Sequence, residues 1–168
     1  MKLNDILSPI AAKIGNQRHL KAISSGMMFG LPFIVIGSFF LIFANPPINI
    51  DKYNPDTANI FMKFMASWKD FAVANYVLIT APYNLTMGII GFISVFGIAF
   101  SLANEYKINP SMNGMVASVI YLMVCTPVEE GAINLNFLGT NGLFVAIIIG
   151  LLVVKTNRLF EVKNIKLK

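Results

Sequence analysis

The chain has 168 residues, 56% of them hydrophobic and 12% charged, with a net charge of +5. Soluble domains carry about 25% charge, so this chain has too little polar surface to clothe a water-soluble globule of its length. A single cysteine, Cys125, and a single histidine, His19, exclude an internal disulfide and a cysteine- or histidine-based zinc cluster.

The positive charge is uneven. Lys2, Lys13, Arg18 and Lys21 lie at the start, and Lys155, Arg158, Lys163, Lys166 and Lys168 at the end. Nucleic-acid readers interleave basic residues with solvated aromatics in a folded domain, a pattern missing here, so no nucleic-acid partner is expected. Anionic lipid headgroups suit the terminal lysines better, and the bilayer is the first expected partner.

The opening residues carry no secretory signal: they are amphipathic and charged, without an apolar core and cleavage site. Leu3, Ile6, Leu7, Ile10 and Ile14 form one helical stripe, which predicts a helix lying on the cytoplasmic leaflet within residues 1–22. Ser8 and Pro9 read as a cap and first helical position, which divides the segment into two short pieces. His19 reads as an interfacial residue.

Four stretches carry no charge: 22–50, 71–104, 108–128 and 131–154. A spanning helix needs roughly 20 mainly apolar residues, so each is long enough to cross a bilayer. Span one is predicted at 23–44, with Pro32 inside it and Pro46–Pro47 closing it. The second stretch exceeds one crossing, and Pro82 is taken to divide it. Residues 59–79 are predicted as an amphipathic interfacial helix on the periplasmic side, with Trp68 and Tyr76 at headgroup level. Span two follows at 83–104. Span three is predicted at 109–127, with Asn109 as cap and Pro110 as first helical residue. Span four is predicted at 138–156, and 157–168 as a basic cytoplasmic tail. The architecture is therefore an all-α integral membrane protein with about four transmembrane helices. Lysine and arginine collect on the cytoplasmic side of short segments, and four spans return the chain to its starting side, so both termini are predicted cytoplasmic.

Lipid provides no hydrophobic drive between helices, so close contact needs small residues. Gly26 and Gly30 supply them in span one; Gly88, Gly91, Ser94 and Gly97 in span two; Gly142, Ala146 and Gly150 in span four. Whether these faces meet within one chain or between two copies is open. Ser24, Ser25, Ser38, Asn84, Thr86, Ser94, Ser101, Asn104 and Ser118 are the polar span residues considered, each read as a helix–helix hydrogen bond. Glu129 and Glu130 are read as a solvated turn, with a polar lining near a ligand entrance as the alternative. No nucleotide loop, metal-ligand spacing or nucleophile–base pair is present, and no buried charge lies within the spans. No catalytic, cofactor-binding or metal residue is assigned.

Several stretches carry a resemblance. "SPIAAKIGNQRHLKAISSGMMFGLPFIVIGSFFLIF", Ser8 to Phe43, pairs a basic "KIGNQRHLKAI" with a proline-containing span bearing "IGS". "GIAFSLANEY" (97–106), "LGTNGLFVAIIIGLLVVKTNRLF" (138–160) and "VKNIKLK" (162–168) follow in order. Together they resemble the N-terminal portion of the membrane component, enzyme IIC, of lactose/cellobiose-type bacterial phosphotransferase sugar systems. The resemblance implies a homodimeric permease carrying a disaccharide or β-glucoside across the cytoplasmic membrane. It also implies partner proteins IIA and IIB, which pass phosphate from phosphoenolpyruvate to the sugar, and no metal or nucleotide in IIC itself. Family members are more than twice this long, and their later half supplies the principal sugar-binding histidine and glutamate. The chain is thus expected to be the scaffold part of the fold, from a truncated or split gene or a fragment, and unable to transport alone. Some members carry a basic residue where this chain has Asn141, and no sugar-binding residue is transferred. The alternative is a non-transporting assembly or modulatory subunit that pairs with a full-length permease.

Overall fold

The computed structural model describes residues 15, 17–50, 53–55, 58–129 and 132–162. The amphipathic stripe of the first fourteen residues, Glu130 and the tail from 163 onward lie outside them.

Proline sets the build of the first helical run. Helix α1 is Arg18–Met27 and α2 is Leu31–Ala44, with a 3-10 turn at Met28–Gly30 between them. Pro32 has no N–H to give the carbonyl four residues back, which belongs to Met28. The Leu31 N–H takes that carbonyl instead, in the tighter i→i+3 pattern. The run begins five residues before the expected span one and ends with it at Ala44.

Helix α3, Ile60–Ala74, starts where the Asn59 side chain accepts from the Met62 N–H at 2.8 Å. The helix expected over 59–79 is in fact two. Asn75 leaves the helical region, at φ −116° and ψ 22°, and its amide donates to the Phe71 carbonyl at 2.9 Å. Helix α4, Tyr76–Asn84, then runs through Pro82. Pro82 therefore does not divide the stretch. The break after α4 is made by Thr86, whose hydroxyl donates to the Pro82 carbonyl at 2.6 Å.

Helix α5, Ile90–Glu105, follows a 3-10 turn at Met87–Ile89. It ends in a Schellman motif: Ile108 N–H donates to Ala103 O and Lys107 N–H to Asn104 O, both at 3.1 Å. Lys107 takes the left-handed position, φ 58°, that glycine usually fills. Helix α6, Pro110–Cys125, opens with Asn109 accepting from the Met112 N–H at 3.0 Å. A two-residue antiparallel ladder joins β1, Val128–Glu129, to β2, Ala132–Ile133. A 3-10 turn at Thr140–Gly142 leads into α7, Leu143–Val162.

Among the described residues, three runs are long and apolar enough to cross a bilayer: Arg18–Ala44, Met87–Glu105 and Thr140–Val162. Pro110–Cys125, within the expected span three, is a shorter apolar helix. Among the described residues the fold is all-α apart from the small ladder.

The described residues form two compact units, one comprising those up to Leu31 and from Ile89 onward, the other those within Pro32–Gly88. In the first, α5 is the central helix, packed against α1, α6 and α7, with α6 also against α7. Its core is built largely from small and medium side chains, Ala22, Val95, Ala99, Leu102, Ala103, Ala117 and Ala146, beside the fully buried Tyr121. Large apolar side chains such as Met115, Val119, Met123, Phe144 and Leu152 point outward. That inversion suits a lipid solvent, where apolar bulk is welcome outside and close helix approach needs small residues. In the second unit, the Trp68 indole N–H donates to the Phe43 carbonyl at 3.0 Å and its ring lies 5.5 Å from that of Phe43. It thereby satisfies one of the orphan carbonyls at the end of α2.

Candidate functional site

The singled-out glycines divide by neighbour. A Cβ on Gly26 would fall on the backbone of Gly97 and Ile98, and one on Gly97 would fall on the Gly26 carbonyl. These two glycines let α1 and α5 meet backbone to backbone. Gly30 faces the Ile90 side chain, where a Cβ would come within 2.6 Å of Cδ1. Gly91 and Gly142 both crowd the Tyr121 hydroxyl and the 137–139 backbone. Gly150 lies against Ile98 and the Val95 carbonyl, and Ala146 is fully buried. Gly88 is different: a Cβ there would make only ordinary contacts, at 3.7 Å.

Helical arithmetic explains why one stripe has two neighbours. Three residues advance a helix by about 300°, so a three-residue stripe rotates by about 60° per step. By Gly97 it has turned from α6 and the loop before α7 toward α1. Gly37 and Gly114 are equally tight and were not singled out. A Cβ on Gly37 would strike Thr86 and Met87, and one on Gly114 would strike the Phe96 ring. Their signal was available, since each is a lone glycine inside an apolar helix.

Polar atoms in the first unit cluster at its two ends. At one end, the Tyr121 hydroxyl donates to the Phe137 carbonyl at 2.7 Å, and the Phe92 N–H donates to Leu138 O at 3.2 Å. The loop before α7 is thus pinned against α5 and α6. Asn141 lies in this loop; its amide reaches the Asn136 carbonyl at 3.5 Å.

At the other end, Lys21 pairs with Glu105 at 2.6 Å. The Arg158 guanidinium lies 4.1 Å from the Tyr106 ring centroid, with Arg18 at 6.0 Å. His19 stands edge-on to the same ring, 6.3 Å between centroids. Asn113, fully buried, accepts from the Asn157 amide at 3.1 Å and donates to the Asn109 carbonyl at 2.8 Å.

The polar span residues do less between helices than expected. Ser38 bonds a carbonyl of its own helix at 3.0 Å, and Thr86 bonds the Pro82 carbonyl of the helix just before it at 2.6 Å. Ser118 is buried with no hydrogen-bond partner among the described residues. Besides the Lys21–Glu105 pair and the Trp68–Phe43 bond, Asn113–Asn157 crosses between helices, and neither asparagine lies in the stripes read from the sequence. An amide at that depth was a readable signal, because an unpaired one is costly in an apolar setting. No group of three metal-ligating side chains occurs among the described residues.

The model of one protein family, "Phosphotransferase system, EIIC", matches residues 24–168. The chain belongs to the phosphotransferase system EIIC family. Its EIIC relatives include the lichenan permease IIC component of Bacillus subtilis, 33% identical across 99% of this chain and 38% of that protein. The cellobiose-specific EIIC component of Geobacillus stearothermophilus is 31% identical across 99% of this chain and 37% of its own length. Among solved structures, the transporter ChbC, the IIC component of an N,N'-diacetylchitobiose-specific system, superposes with a TM-score of 0.76 at 32% identity. That match covers 99% of this chain and 39% of the ChbC chain. The chain thus spans about 38% of the length of the lichenan permease component and corresponds to an N-terminal portion of EIIC proteins. With its apolar helices, it is a multi-pass bacterial membrane protein.

Proposed function

We propose that this chain forms the N-terminal scaffold of the membrane component of a phosphoenolpyruvate-dependent sugar phosphotransferase system. The complete component would carry a disaccharide or β-glucoside of the cellobiose/lactose class across the cytoplasmic membrane. The observation that carries this reading is colinear similarity: 33% identity with a lichenan permease component and a TM-score of 0.76 against ChbC, each over 99% of the chain. The glycine contacts fit a scaffold, because they fix α1, α6 and α7 on α5.

The partners in this reading are the IIA and IIB proteins, the remaining part of an EIIC component, and a second copy in a homodimer. Both termini face the cytoplasm, placing the Arg158–Tyr106 end inside and the 126–142 loop outside. Sugar specificity resides in residues beyond these 168, so the chain alone does not transport.

Reconstitution tests this. Proteoliposomes holding the chain alone, supplied with IIA, IIB and phosphoenolpyruvate, are expected to phosphorylate no cellobiose. Co-reconstitution with the remaining part of a cellobiose EIIC component is expected to restore uptake. Uptake by the chain alone would contradict the reading, as would no restoration despite formation of the complex.

A further inference from the structure

A groove of about 320 Å³ runs between α6 and α7. Met112, Val116 and Ile120 line one wall, and Leu152 and Phe160 line the other. Its polar lining, Thr156 and Asn157, lies toward one end. From Met112 to Ile120 the wall is about 12 Å long at about 1.5 Å per residue. That is close to one leaflet of hydrocarbon, about 15 Å, half of the roughly 30 Å core. The volume falls at the low end of small-molecule sites, about 300–1,000 Å³.

The charge around the polar end selects the occupant. Lys155 and Arg158 flank Thr156 and Asn157 in sequence and therefore share their depth. Lys107 stands in the turn immediately before α6. Arg18 and Lys21 reach the same level, through Tyr106 and Glu105. Against these five cations, the described residues at this end offer two carboxylates, Glu105 and Glu161. These charges give the end of the unit that holds Thr156 and Asn157 a net positive field, which acts over roughly a Debye length, about 8 Å at physiological salt.

We propose that this groove is a binding site for an anionic phospholipid, with one acyl chain between α6 and α7 and the phosphate at Thr156 and Asn157. The occupant enters from the leaflet that the basic end faces. The site requires a bilayer but not the transport reading, and holds whichever way the chain is oriented. Asn157 is already fixed by its bond to Asn113, so the polar end is preformed.

Native mass spectrometry of the 168-residue chain in detergent, titrated with phosphatidylglycerol or phosphatidylcholine, tests the proposal. Phosphatidylglycerol is expected to stay bound at lipid concentrations at least fivefold below those needed by phosphatidylcholine. Val116→Trp, which fills the groove, is expected to abolish that preference. Val124→Trp, exposed on the same helix but outside the groove, is expected to retain it. Equal retention of the two lipids would overturn the proposal. So would a helical Val116→Trp protein that still prefers phosphatidylglycerol, or one that loses a dimer while keeping the lipid, which would make a second copy the occupant. Should Val116→Trp lose its helicity, Lys155→Gln/Arg158→Gln decides: loss of the preference supports the site, and an unchanged preference overturns it.

Discussion

At Gly26, one hydrogen atom decides how near two helices come. Its missing Cβ leaves room for the Gly97 and Ile98 backbone, and no rotamer change could make room for a larger residue there. Gly26→Val is expected to destabilise the protein by about 1–3 kcal/mol, the usual cost of overpacking, in SDS titrations followed by far-UV circular dichroism. Gly88→Ala is expected to be neutral or to stabilise by up to about 1 kcal/mol, because its neighbours leave space and alanine lowers the entropy of the unfolded chain. Equal losses at the two positions would show that the seam is not what holds α1 to α5. Asn113 and Asn157 allow a second residue-level test. Double-mutant cycles of Asn→Ala at both positions are expected to give a coupling of about 0.6 kcal/mol, typical of interhelical hydrogen bonds in membranes. A coupling of zero would mean that the Asn113–Asn157 bond adds no stability of its own. The glycines were readable because each sits in an otherwise apolar run, but spacing alone could not name their partners. The rotation of a three-residue stripe sends Gly91 and Gly97 to different helices, and only the packing shows which.

The helix ends follow local chemistry closely. Asn109 with Pro110 starts α6 as its sequence implies, and Pro32 produces a tight turn without ending the helix. Lys107 closes α5 in a conformation that costs a non-glycine residue about 1–2 kcal/mol. Lys107→Gly is therefore expected to stabilise the protein by about 1 kcal/mol in the same titration, and a loss of stability would mean that the lysine side chain itself matters more than its backbone. Pro82 lies inside α4 and does not divide the stretch. A helix near its C-terminus can carry a proline, and the actual punctuation comes from Asn75 and Thr86, whose side chains bond back to Phe71 and Pro82. Tyr121 was the other missed signal, a phenol inside an apolar helix whose hydroxyl needs a partner. Tyr121→Phe is expected to cost about 1 kcal/mol and to speed amide exchange selectively in the 126–142 loop; exchange that rises uniformly across the chain would show that the bond does not pin that loop.

For the whole molecule, charge and hydropathy carried most of the reading. Four charge-free stretches with basic ends implied an all-α membrane protein, and the family match and the ChbC likeness agree with that fold. The two-unit division was not legible, because it depends on long-range packing that leaves no trace in composition. The basic end was visible only as scattered cations. Arg18 and Arg158 converge on Tyr106, and Lys21 pairs with Glu105, because α1, α5 and α7 bring these residues to one level. The proposed topology places that level inside the cell and the loop between α6 and α7 outside. Labelling by a membrane-impermeant maleimide in intact cells tests it, using Cys125→Ser protein carrying Gln17→Cys, Leu135→Cys or Glu161→Cys. An even number of crossings predicts rapid labelling at position 135 and labelling at 17 and 161 only after the membrane is permeabilised. Labelling of 17 and 161 on opposite sides, or of all three in intact cells, would contradict it.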